Sequence, residues 1–223
     1  MCERFTLNAD LSELSEAFPF DRATFAYEPR KNNTPTSQIA VIVSEEGERR
    51  LEEHRWGLIP FWAKDAVNAD SELVPDKPAY RRLFAKHRCL IPYSAFYGWK
   101  REGKREQPIL IGLRHKKLFA VAGLYEIWKD PRGGEFRTCT VLTTPTNRML
   151  ENYNVKLPAI LDERGMAVWS NPKETDIELL HSVLQPYHAD LMFAYPVIDR
   201  SGRIPSEQEE GSEPVGKYAF IKK

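Results

Sequence analysis

The strongest constraint on the fold is a succession of β-branched and aromatic runs of strand length through the middle of the chain. Segments 39–43 (IAVIV), 49–59 (RRLEEHRWGLI), 89–99 (CLIPYSAFYGW), 108–113 (PILIGL), 118–127 (LFAVAGLYEI) and 136–143 (FRTCTVLT) each read as a strand. Charged or glycine-bearing breaks such as SEEGE, REGKRE and KDPRGG separate them and turn the chain back. Runs this apolar must bury their side chains and pair their backbone groups with one another, so the middle of the chain is a sheet. Helical spacing occurs outside these runs: at 10–19, with Leu11, Leu14 and Phe18 ahead of Pro19, and at 78–86, 145–153 and 173–184. The expected fold class is α+β, one domain with an antiparallel or mixed sheet and short peripheral helices. No linker composition divides the 223 residues; the domain is placed at 1–200, followed by a polar C-terminal tail at 201–223 rich in Gly, Pro and Glu.

Thirty-two Lys and Arg balance 32 Asp and Glu, so a bulk electrostatic case for nucleic acid or an anionic membrane fails on the whole chain. The balance is uneven along it. Residues 1–76 hold eight basic and 15 acidic groups, whereas 77–117 hold twelve Lys and Arg against Glu102 and Glu106. A basic stretch of that size suggests a phosphate-binding face on a neutral molecule. No apolar run approaches the 18 residues of a membrane span, and MCERFTLNAD has neither the basic nor the apolar region of an export signal. Met1-Cys2 therefore reads as the start of a cytoplasmic chain, nucleoid-associated if bacterial.

Three cysteines, Cys2, Cys89 and Cys139, lie far apart without CxxC spacing, which fits a reducing compartment. Cys89 and Cys139 sit inside strand patterns and read as small core residues. The five histidines lack HxH or HExxH spacing and read as solvated, so no metal is expected. Glycine signatures of dinucleotide sites, P-loops and nucleophile elbows are missing from the sequence.

Cys2 is the main candidate for chemistry. Removal of Met1 would leave an α-amine and a thiol on adjacent carbons, both partly deprotonated near neutrality and together able to close a five-membered ring on an aldehyde. The bland alternative is an inert buried thiol. Trp56, Phe61, Trp62, Phe96, Tyr97 and Trp99 interleave with Arg55, Lys64, Lys100 and Arg101. That mixture suits a single nucleic-acid strand, stacked on rings and held by cations, although alternating strand aromatics also suit a core.

Several blocks in order resemble the abasic-site processing family, also called SOS-response-associated peptidases or SRAP domains: MCERF at 1–5, NNTPTSQ at 32–38, RWGLIPFWAKD at 55–65, NADSE at 68–72, KPAYRR at 77–82, RCLIP at 88–92 with FYGWK at 96–100, GLYEIW at 123–128, and CTVLTTPTN at 139–147 with KLPAIL at 156–161. The resemblance implies a curved, barrel-like β core, and capture of abasic sites in single-stranded DNA by a thiazolidine crosslink to Cys2, in a DNA-damage or SOS setting. It implies self-removal of Met1, a monomer, and no cofactor or metal. By position Cys2 matches the nucleophile and Asn68 the site asparagine. Arg4, Arg81, Arg82 and Lys156 match phosphate-contacting cations, and Trp62 an aromatic beside the DNA path.

The departures are as informative. Gly98 stands where the family's FYEWK block carries glutamate, Asn154 where its HDRMP block carries histidine, Asp70 where its NAR block carries arginine, and Glu3 where a glycine follows the cysteine. Both acid/base groups are replaced, which predicts slow crosslinking unless Glu3 or Glu102 substitutes. Two other readings stay open: a single-strand-binding protein without the chemistry, and an N-terminal cysteine hydrolase acting on a small amide.

Overall fold

The structure, a computed structural model, describes residues 3–59, 66–102, 105–129, 133–151, 153 and 155–197. The N-terminal part holds β1 (Phe5–Leu7), α1 (Leu11–Ala17), β2 (Arg22–Ala23), β3 (Arg30–Asn33), β4 (Gln38–Glu45), β5 (Glu48–Trp56) and β6 (Asn68–Asp70). Then follow α2 (Pro78–Lys86), β7 (Arg88–Tyr93), β8 (Ala95–Glu102), β9 (Arg105–Leu113), β10 (Phe119–Lys129) and β11 (Glu135–Thr144). The last part holds β12 (Leu157–Pro158), β13 (Ile160–Leu161), α3 (Glu163–Trp169), α4 (Ile177–Ser182) and β14 (Met192–Pro196).

Five of the long strands close on themselves. β5, β4, β7, β10 and β11 pair antiparallel in that order, and β11 returns to β5 in parallel through Thr138 with Arg55 and Cys139 with Trp56. Closure removes the free edges that so apolar a set of strands would otherwise expose. The β4–β5 hairpin turns on Glu46 and Gly47, both at positive φ (53° and 84°), and that handedness matches the twist of the flanking strands. A second sheet, in the order β14-β9-β8-β1-β3, lies against the barrel. Phe5 of β1 stacks on Tyr93 with ring centroids 3.9 Å apart and lies 5.4 Å from Trp56, both fully buried, so the N-terminal strand plugs one end of the barrel. The result is the single α+β domain with a barrel-like β core that the sequence led us to expect.

Individual elements differ from expectation for local reasons. The run 89–99 is two strands: the chain turns at Ser94, whose N–H donates to Thr6 C=O (2.7 Å) and whose Oγ accepts from Asn8 N–H (2.8 Å), and β8 passes into the other sheet. No helix forms at 145–151. Asn147 Oδ1 accepts from the N–H groups of Met149 (3.2 Å) and Leu150 (3.3 Å), a local bonding pattern that competes with helix. The expected helix at 173–184 shortens to α4 because Asp176 Oδ1 caps Glu178 and Leu179 N–H. α3, capped by Asp162 on Gly165 N–H (2.6 Å), was not expected, since ERGMAVW carries little apolar periodicity. α1 and α2 form where the spacing put them, α1 with a reciprocal cap between Asp10 and Glu13. The tail at 201–223 lies outside the described residues.

Candidate functional site

β11 organises the site. On one flank β6 runs parallel to it, with Asn68, Ala69 and Asp70 opposite Val141, Leu142 and Thr143; on the other, β12 pairs Leu157 with Thr144 and Pro158 with Thr143. Asn68 and Lys156, far apart in sequence, are thereby brought to the same end of β11. Asn68 is buried at 7% exposure. Asp70 Oδ1 accepts from Glu72 N–H (3.1 Å), which fixes its carboxylate, and Oδ2 lies 3.2 Å from Lys156 Nζ. The aspartate that departs from the expected NAR block therefore pairs with the lysine expected to meet phosphate.

Gly98 is drawn into the same cluster. A Cβ built on it would lie 3.0 Å from Ile111 Cδ1 and 3.1 and 3.3 Å from Val155 Cγ1 and Cβ. Val155, immediately before Lys156, and Ile111 of β9 fill the space where a side chain at position 98 would begin. The sequence marked the loss of glutamate at 98; it gave no sign that Val155 and Ile111 close the gap.

The remaining sequence candidates fall elsewhere or outside view. Arg4 C=O accepts from Tyr97 N–H (3.0 Å), continuing the register of Phe5 with Phe96, so the Arg4 side chain shares the Tyr97 face of the sheet, opposite to Gly98. Burial pushes the Tyr97 hydroxyl up, and the Arg4 charge acts in the opposite direction. Arg82 donates to Glu126 of β10 (3.1 Å); Glu126 pairs with Thr138, five residues along β11 from the Asp70 partner Thr143, or about 17 Å of strand. Arg81 is exposed and makes no ion pair among the described residues. Cys2, Trp62 and Asn154 lie outside the described residues.

Three readings need correction. Trp56 and Phe96 are fully buried and Tyr97 nearly so, which removes them from any base-stacking surface. Arg88, counted among the basic stretch, is buried: its guanidinium donates to Phe84, Ala85, Trp169, Asn171 and Glu174 C=O and ties α2 to the α3–α4 segment. His54 is not solvated. Its Nε2 lies 2.9 Å from Glu52 Oε2 inside the barrel, where Arg137 (2.6 Å) and Arg50 (2.8 Å) also bind the carboxylate. Burial would raise the Glu52 pKa, but the His54 and Arg50 hydrogen bonds and the Arg137 charge hold it at about 2. Alternation along RRLEEHRW placed Arg50, Glu52 and His54 on one face; only barrel closure makes that face an interior. Cys89 and Cys139 are buried and free, and burial pushes both thiols well up.

Among the described residues no three His, Cys, Asp or Glu side chains are grouped to hold a metal ion, and no helix is long and apolar enough to cross a membrane.

A closed five-strand barrel, capped by an N-terminal strand and flanked by a polar cluster on β6 and the segment before β12, defines a class of small α+β domain. The profile of the SRAP family, SOS response associated peptidase, matches residues 1–204, and this chain belongs to that family. Two Bacillus subtilis proteins are similar to it over most of their lengths. Abasic site processing protein YoqW is 41% identical over 206 residues, 88% of this chain and 92% of the relative. Abasic site processing protein YoaM is 40% identical over 206 residues, 88% and 91% respectively. A crystal structure of a Bacteroides thetaiotaomicron protein superposes with a TM-score of 0.78 at 25% identity, covering 90% of this chain and 93% of the other.

Proposed function

We propose that this protein processes abasic sites in single-stranded DNA by covalent capture on Cys2. The observation that carries the reading is near-full-length similarity, at 41% identity, to a relative named for abasic-site processing. The assembly of Asn68, Asp70 and Lys156 at one end of β11 supports it. Hydrolysis of the Met1–Cys2 amide frees the α-amine. That amine adds to the aldehyde of the ring-opened abasic sugar and loses one water to give an imine. The thiol then adds across the C=N bond, sulfur to carbon and proton to nitrogen, and closes a thiazolidine. No electron is transferred, so no redox partner is needed. Asn68 offers both a donor and an acceptor to the sugar or to the cysteine backbone. Arg81, exposed and without an ion pair among the described residues, is the cation most open to phosphate; with Arg4, Arg82 and Trp62 it forms the proposed DNA path, and Lys156, engaged by Asp70, stands beside that path.

With glycine at 98 and asparagine at 154 in place of acid/base groups, crosslinking is slower by about 10²–10⁴-fold than in a complete site. The test is incubation of purified protein, shown by intact mass to lack Met1, with an abasic oligonucleotide, followed by a denaturing gel beside Cys2→Ala. A shifted band that grows over hours and is lost in Cys2→Ala is expected. No Cys2-dependent band after long incubation overturns the reading. The filled space at Gly98 favours one competitor, a binding protein that has lost the chemistry. It predicts salt-sensitive binding of single strands, unchanged by Cys2→Ala, and no crosslink.

A further inference from the structure

We propose that Asp70 is a built-in competitor of substrate phosphate for Lys156, and so sets how weakly the protein holds DNA that has no aldehyde. The inference rests on the single-strand reading above and assigns a specificity role within the same site. Asp70 ends β6 opposite Thr143, and on the other flank of β11 Lys156 immediately precedes β12, whose Leu157 lies opposite Thr144, so their ion pair clamps across the strand end. The carboxylate is preset: its Oδ1 already accepts from Glu72 N–H, so Oδ2 meets the ammonium without further ordering. The pair is also open to an incoming anion, with 28% of the Asp70 and 49% of the Lys156 side chain exposed. Val155, which covers Gly98, directly precedes Lys156, so the pair stands at the rim of the same cluster.

A phosphate that reaches Lys156 must take the place of a carboxylate of the same charge. The exchange trades one partly screened ion pair for another, and the displaced Asp70 then repels the strand. Lys156 consequently adds little net attraction to any ordinary single strand. Strands carrying an aldehyde are retained by the covalent step instead, which does not draw on this cation.

The experiment is a double-mutant cycle by fluorescence anisotropy, using a strand whose abasic position is tetrahydrofuran, which lacks the aldehyde. Wild type, Asp70→Asn, Lys156→Gln and the double variant are titrated across a salt series. Asn keeps an oxygen for Glu72 N–H, and melting temperatures check that the variants fold. Asp70→Asn should bind about fivefold tighter at low salt, with the slope of log K against log salt steeper by about 0.7, one phosphate on a single strand. Lys156→Gln should change wild-type affinity by less than about twofold yet abolish the gain in the Asp70→Asn background. Equal losses from Lys156→Gln in both backgrounds overturn the proposal, because Lys156 would then bind phosphate regardless of Asp70. So does a gain that survives Lys156→Gln, which would be simple removal of repulsion. Since the probe cannot crosslink, these outcomes stand apart from the gel assay: a Cys2-dependent band with no coupling refutes the competitor role alone.

Discussion

Gly98→Glu tests whether packing keeps a carboxylate out of the candidate site. The new Cβ would stand 3.0 Å from Ile111 Cδ1 and 3.1 and 3.3 Å from Val155 Cγ1 and Cβ, a few tenths of an ångström inside ordinary contact. Ile111 can yield, because the clash is with the free end of its side chain. Val155 cannot, since its Cβ is fixed to the backbone and its branched side chain has few rotamers. Overpacking of this kind costs about 1–3 kcal/mol, and in a chain of this size each kcal/mol moves Tm by about 2–4 °C. Gly98→Glu alone should therefore lower Tm by about 2–12 °C. Val155→Ala removes two methyl groups, costing about 1.5 kcal/mol by itself, but opens the space position 98 needs. The double variant should thus melt above the sum of the two single losses, by about 1–2 kcal/mol of coupling. Thermal melts read the packing half of the argument; single-turnover crosslinking at fixed pH reads the chemical half, with a rate increase of up to about 10²-fold expected for the double variant. If Gly98→Glu melts with wild type and Val155→Ala costs the same in both backgrounds, the packing argument is wrong. If the folded double variant crosslinks at the wild-type rate, the acid/base role assigned to position 98 is wrong.

Arg88→Ala should cost about 3–5 kcal/mol, seen as a Tm drop on the order of 10 °C, because five carbonyls share its buried guanidinium. Arg88→Lys should recover little of it, since one ammonium cannot span α2 and the α3–α4 segment. For Glu52 the folded pKa of about 2 lies below the ordinary 4.5, so its stabilisation is in full force above pH 4.5 and is lost as the pH falls toward 2, about 3 kcal/mol in all. Urea midpoints should fall across that window in wild type and more shallowly in Glu52→Gln, which also starts lower at pH 7; parallel curves would remove the network from the acid response. Thiol labelling of the native protein should spare Cys89 and Cys139, raised and buried as they are, and report one reactive thiol, rising to three in denaturant.

The strand runs were legible because period and punctuation agreed: Gly47 and the charged breaks end them where the structure turns. Closure was not. The pairing of β5 with β11 joins Arg55 and Trp56 to Thr138 and Cys139, more than 80 residues away and in parallel, and nothing local encodes it. That one pairing decides that Arg50, Glu52 and His54 face an interior, so His54, which reads as solvated in the sequence, belongs to a buried network. For the site, the order of motifs marked Asn68, Asp70, Gly98 and Lys156 one at a time. Their mutual relations were hidden: the Asp70–Lys156 pair depends on β6 and β12 flanking β11, and the packing of Val155 on Gly98 on β8 of the other sheet reaching the segment before β12. Asn147 shows the opposite failure, where side-chain bonds to its own backbone overrode a helical pattern.

The charge excess of 77–117 changes meaning once its partners are located. Arg88 is spent inside the protein. Arg82 pairs with Glu126, Lys117 with Glu13, and Lys116 lies 3.7 Å from Glu163, each acid lying outside the basic stretch. Lys156, beyond that stretch, is held by Asp70 in the same way. At least four of the twelve basic groups of 77–117 are therefore engaged, three of them with acids distant in sequence, and the local excess open to phosphate is smaller than its count. Exposed pairs of this kind are individually weak, about 0–1 kcal/mol each, yet each sets a negative charge beside a positive one and lowers the field that would steer a polyanion from a distance. On the proposed reading selection passes to the covalent step, where an intact strand offers no aldehyde and leaves, while an abasic one is kept by a carbon–sulfur and a carbon–nitrogen bond. Weak electrostatics at Lys156 and reactive chemistry at Cys2 are then two halves of one discrimination.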